Sequence, residues 1–96
     1  MTLKDKYITE IRDRLTEREL LELLAEESAE LSQAALKLIR AKGYSDNATP
    51  KTVKECEESI VEEVADVLMV LEVLGFELPN IENNPKWERW KNRLQN

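Results

Sequence analysis

The chain is 96 residues long, with 20 acidic and 14 basic residues, no histidine and a formal charge of −6. That length allows a single domain, residues 1–96, and the acidity argues against nucleic-acid binding across the whole surface. One cysteine excludes an internal disulfide and a cysteine-based zinc site, and the lack of histidine removes imidazole base chemistry.

Only two glycines and three prolines interrupt a helix-forming composition, and nothing alternates as a strand would, so the expected fold is all-α. Charges run throughout Met1 to Arg14. No signal peptide, membrane span or membrane partner is therefore expected, and the expected location is cytoplasmic. A chain this short buries a modest fraction of its surface, which favours a homo-oligomer, dimer or tetramer.

In chain order, a first helix is expected from about Leu3 to Leu15, with Leu3, Tyr7, Ile8, Ile11 and Leu15 on one face. Thr16 and Glu19 form a capping box for a second helix reaching about Lys42, with Gly43 as its terminating glycine. Thr49-Pro50 has the form of an N-cap followed by proline at the first helical position. The third helix then runs from about Pro50 to Leu74, and Val53, Cys56, Ile60, Val64, Val67, Leu71 and Leu74 make one apolar seam. Gly75 ends it. Asn84-Pro85 opens a short fourth helix through about Leu94. The expected architecture is an antiparallel bundle of about four helices with Cys56 as a core thiol.

Several carboxylates do not fit that pattern. With Leu20 at zero on the second helix, Glu27 falls at roughly −20°, inside the leucine stripe, and Glu30 at roughly −80°, on its margin. Glu26 lies further round, at roughly −120°. With Ile60 at zero on the third helix, Glu63 falls at roughly −60° and Asp66 at roughly −120°, among Val70, Val73 and Leu74. Solvated acids such as Glu22, Glu62 and Glu72 tend to the opposite side. A carboxylate against apolar neighbours is costly unless its charge is compensated. Oxygen-only ligand sets suit magnesium, with manganese or calcium as alternatives. Pairing with a base is the other compensation, and Lys37 lies on the same side as Glu30, one turn on.

Glu26-Glu27-Ser28-Ala29-Glu30 followed by Glu63-Val64-Ala65-Asp66 resembles the EExxE…ExxD signature of the MazG-type all-α nucleoside triphosphate pyrophosphohydrolases. The resemblance covers about residues 15 to 76 and extends to the surrounding text, "LLAEESAELSQAALKLIRA" and "EEVADVLMVLEVLG". The interval between Glu30 and Glu63 is longer than is usual in that family. Of the adjacent Glu62 and Glu63, only Glu63 stands in Glu-x-x-Asp register with Asp66. The histidine that usually follows the second motif in the phosphoribosyl-ATP branch is absent.

The resemblance implies hydrolysis of a nucleoside triphosphate between the α and β phosphates, in nucleotide-pool house-cleaning, with magnesium as cofactor (manganese possible). Glu27, Glu30, Glu63 and Asp66 become the implied metal ligands. Glu26 is implied to join the metal shell or orient the attacking water, and Glu26 and Glu27 are the expected catalytic carboxylates. Alternatives are a narrow dUTP or dCTP pyrophosphatase of the same superfamily, or a non-enzymatic helical oligomerisation module.

A triphosphate calls for further cations. Lys86, Arg89 and Arg93 share an edge of the last helix, and Lys37 with Arg40 offers a second group. Trp90 could stack on a nucleobase, whereas at least one of Trp87 and Trp90 is expected to pack against the bundle or a partner subunit. Tyr44 in the loop is a further candidate to approach the base.

Overall fold

A computed structural model describes residues 1–95. It is helical throughout, with four helices and no strand among the described residues. They are α1 (Leu3–Arg14), α2 (Glu17–Ala41), α3 (Val53–Leu74) and α4 (Lys86–Leu94). The first three begin on the same device, a threonine whose hydroxyl accepts from the backbone N–H three residues on while that residue's carboxylate accepts from the threonine N–H. The pairs are Thr2–Asp5, Thr16–Glu19 and Thr52–Glu55.

The third pair corrects the expected start of α3. Thr52 is the N-cap and Val53 the first helical residue, not Thr49 and Pro50. Two capping bonds at 3.1 Å outweigh the preference for proline at the first position, because they satisfy two backbone donors that helix entry leaves orphaned. Gly43 and Gly75 follow the ends of α2 and α3 with φ of 75° and 87°. Each lets the chain turn back so that the next N–H reaches the last turn, Tyr44 to Ile39 O and Phe76 to Leu71 O. α4 starts at Lys86 with Pro85 as its N-cap, one residue later than the Asn84-Pro85 pair suggests, and Asn84 Oδ1 accepts from the Lys86 N–H at 3.0 Å.

The main packing is α2 against α3. Leu20, Leu23 and Glu27 share a recess with Asp66, Val70 and Val73, so the start of α2 meets the end of α3 and the pair is antiparallel. α1 lies on the end of α3. Arg12 crosses to it and donates from Nε to the Val73 carbonyl at 2.6 Å, a cation on carbonyls that helix termination leaves free. Lys4 pairs with Glu72 at 2.9 Å. α4 buries none of its residues.

The core is small: Leu20, Ala34, Cys56, Val70 and Val73. Cys56, 1% exposed, is the core thiol anticipated. The seam expected on α3 is only partly covered, since Val64 is 39% exposed while the deepest valines, Val70 and Val73, lie beside it. α3 is turned so that the Cys56–Val70 side, which also carries Glu63, meets α2. Among the described residues, no third helix packs against the outer part of the seam, where Val64 is 39% exposed.

The molecule is correspondingly open. Its radius of gyration is 17.2 Å, against about 12.5 Å for a compact domain of this length. Its accessible surface is 8079 Å², against about 5,700 Å² for a compact monomer of its mass. No helix among the described residues is long and apolar enough to cross a membrane.

Candidate metal centre

Glu27 comes from the middle of α2, and Glu63 and Asp66 from adjacent turns of α3. The antiparallel packing brings them together, so that one carboxylate oxygen from each lies within 4.8 Å of the others. Three negative groups at that separation are mutually repulsive. Glu27 and Glu63 are half-buried, and one oxygen of each, Oε2, is buried without a hydrogen-bond partner. Asp66 is exposed.

No lysine or arginine among the described residues is ion-paired with this group; the ion pairs Lys4–Glu72 and Arg18–Glu22 lie elsewhere. The pairing with Lys37 that the wheel allowed is thus not formed. The arrangement is a partly buried acidic cluster with no ion-paired base among the described residues. Such a site is costly as it stands and is matched in chemistry to a hard divalent cation with oxygen ligands.

The protonation equilibria carry the same imprint. Burial holds the Glu27 carboxyl above its ordinary value, and the charges of Glu30, Asp66 and Glu63 add to the effect. Glu63 is raised in the same way, by burial first and then by Glu30 and Asp66. Glu30 is therefore an electrostatic neighbour of the cluster, although it is exposed and outside the group of three carboxylates.

A carboxyl with a raised native pKa favours folding while it is protonated. That advantage is lost as pH rises from the ordinary carboxylate range through the raised value. The metal-free protein should therefore melt at a higher temperature near pH 5 than near pH 7, and magnesium should shrink this difference by supplying the charge that protons supply at low pH. Asp5 and Glu55 work in the opposite sense, being lowered mainly by their capping bonds to Thr2 and Thr52. Their contribution is lost only below their ordinary values of 3.8 and 4.5, under the window of the cluster. Thermal melts across pH 4.5 to pH 8, with and without magnesium, check the sign.

Beside the cluster lies an open recess of about 280 Å³ with Glu27 and Asp66 on its wall and otherwise apolar sides, Leu15, Leu20, Leu23 and Val70 among them. Glu26 is exposed, next to Glu27 in sequence but outside the group of three carboxylates. Lys37 is half-buried on α2.

Lys86, Arg89, Arg93 and Trp90 are exposed on α4, in a part of the chain that shares no lining with the recess beside the cluster. Within the single chain, then, the α4 cations are not among the groups that shift Glu27 or Glu63. Trp87 and Trp90 do not pack into the helical body. They stack on each other, with ring centroids 5.9 Å apart and planes within 5°, both more than half exposed, and the Trp87 indole N–H donates to the Ile81 carbonyl. Tyr44 is 75% exposed in the loop. Every residue of the cluster is one the sequence pattern singles out. No family model, curated protein or solved structure matches this chain.

Proposed function

We propose that the protein is a magnesium-dependent nucleoside triphosphate pyrophosphohydrolase that cleaves between the α and β phosphates. One observation carries this reading. Three of the five motif carboxylates, Glu27, Glu63 and Asp66, lie within 4.8 Å of one another by one oxygen each, and one oxygen of Glu27 and one of Glu63 are buried without a partner.

Glu27, Glu63 and Asp66 would hold the cation, with Glu30, exposed about one turn on from Glu27, as the further ligand. When bound, the metal neutralises phosphate charge and lowers the pKa of a coordinated water. Glu26, exposed on the same turn as Glu27, is the carboxylate left free of ligation to accept the proton of the attacking water in a chain without histidine. Lys37 contributes charge to the substrate's phosphates, whereas Lys86, Arg89, Arg93 and Trp90, apart from the cluster within one chain, would reach a substrate only at the site of another copy. The protein acts as a homodimer or homotetramer, in keeping with the large surface a single copy leaves open. The location consistent with this activity is the cytoplasm.

Incubation of the protein with a panel of nucleoside and deoxynucleoside triphosphates and magnesium should yield monophosphate and pyrophosphate in equal amounts. Stepwise release of orthophosphate, or no turnover with any triphosphate, contradicts the proposal. Turnover confined to dUTP or dCTP would instead identify the narrow-specificity enzyme.

A further inference from the structure

We infer that the recess beside the acidic cluster seats the base of the nucleotide, and that it takes the base by shape and apolar contact without reading its hydrogen-bonding edge. The inference rests on the reaction proposed above and adds to it how the substrate's base is selected.

The position of the recess ties it to the cluster. Seven of its nine lining residues are apolar, and the other two are Glu27 and Asp66. A triphosphate anchored at the cluster therefore has this surface directly beside it. The recess holds about 280 Å³, at the low end of ligand clefts, which span about 300–1,000 Å³. A second recess of about 360 Å³ shares Ile11, Met69 and Val73 with it and continues the apolar surface between α1 and α3.

The chemistry of the wall limits what it can distinguish. Leu20, Val70 and Val73 are buried and form its floor, while Met69, 65% exposed, stands at the rim and belongs to both recesses. No hydroxyl, amide or cationic side chain lines the recess beside the cluster. The backbone along it is already bonded. The Leu15 N–H donates to the Ile11 carbonyl at 2.9 Å, the Leu20 N–H to the Thr16 carbonyl at 3.0 Å, and the Val73 carbonyl accepts from Arg12 Nε at 2.6 Å. In the second recess Lys4 and Glu72 pair with each other at 2.9 Å, and Tyr7 brings a single hydroxyl. A base edge beside the cluster thus meets no donor, and the only side-chain acceptors are the two carboxylates assigned to the cation.

A ring in this recess lies with its face on leucine and methionine side chains and its polar edge toward the open side, because burying that edge unpaired is costly. Met69 suits such a role, since a thioether is adaptable and packs well against aromatic rings. An apolar wall separates substrates weakly. A methylene or an added hydroxyl changes the rate by about 10–200-fold, whereas a site that pairs with a polar group rejects an analogue lacking it by about ten-thousandfold or more.

The test compares kcat/KM, with magnesium, for the four common deoxynucleoside triphosphates and for difluorotoluene deoxyriboside triphosphate, which has the shape of dTTP and a base that does not pair. The natural substrates should fall within about 200-fold of one another, and the analogue should match or exceed dTTP. A wider spread, or an analogue turned over at least about a hundredfold more slowly than dTTP, overturns the inference and leaves the reaction standing. No turnover of any triphosphate overturns the reaction itself, and the inference with it. Met69→Ala should raise KM for dTTP and the analogue alike by about tenfold with kcat held, the mark of binding shared by ground and transition states. Its magnesium-dependent rise in melting temperature should persist, because the carboxylates of the cluster are unchanged. An unaltered KM in Met69→Ala contradicts the inference.

Discussion

Glu63→Gln should abolish turnover and at the same time raise the melting temperature of the metal-free protein. Loss of an outer-shell partner of a metal ligand typically costs about 10–100-fold. Loss of a direct ligand from a cluster of three should cost at least about a hundredfold. The stability effect has the opposite sign to an ordinary core mutation. Glu63 is half-buried beside Glu27 and Asp66, with one oxygen unpartnered, so a neutral amide of the same shape removes repulsion and desolvation together. Circular dichroism melts and a pyrophosphate assay on the same preparation measure both effects. Full activity in Glu63→Gln, or a metal-free melting temperature below that of the wild type, contradicts the role given to this residue.

The second large effect concerns the core. Leu20 is 4% exposed at the start of α2, where it meets Val73 near the end of α3. Only five apolar side chains are buried among the described residues, so each carries a large share of what holds the hairpin closed. Leu20→Ala should cost about 2–5 kcal/mol, a substantial fraction of the stability of a small domain. At about 4–8 °C per kcal/mol, the melting temperature should fall by about 10 °C or more. The melts must be made at one protein concentration and without magnesium, because association and ligand binding both add apparent stability. Tyr44→Ala, at a position 75% exposed, is the control and should change stability by no more than about 0.5 kcal/mol.

The helices were legible because their ends are written in short-range chemistry. Thr16 and Glu19 announce α2, and Gly43 and Gly75 stop α2 and α3. The same rule would have found the true start of α3, since Glu55 stands three residues after Thr52. Pro50 drew attention to the wrong threonine, because proline marks a permitted first position and not an obligatory one.

The acidic cluster was legible for a different reason. Glu27 and Glu63 violate the apolar pattern around them, and a violation at a helix-packing position has few explanations. Which face of each helix would be covered could not be read in the same way. Periodicity shows that Val61, Val64 and Leu68 lie on an apolar side, but whether α1, α2 or another molecule covers that side depends on long-range geometry. The placement of Lys86, Arg89 and Arg93 was hidden for the same reason. Their spacing fixes an edge of α4, and nothing in that spacing fixes where α4 sits relative to α2 and α3.

The central claim is that Glu27, Glu63 and Asp66 are held together as a divalent-cation site. Its most direct test is the melting temperature of metal-free protein at pH 7 as magnesium is added, for the wild type and for Glu63→Gln. The melting temperature of the wild type should rise with magnesium concentration, by about 2.7 kcal/mol of stabilisation when the metal is at a hundred times its dissociation constant. Glu63→Gln should show a much smaller rise, or none. A wild-type melting temperature indifferent to magnesium, or an equal rise in both proteins, would contradict it.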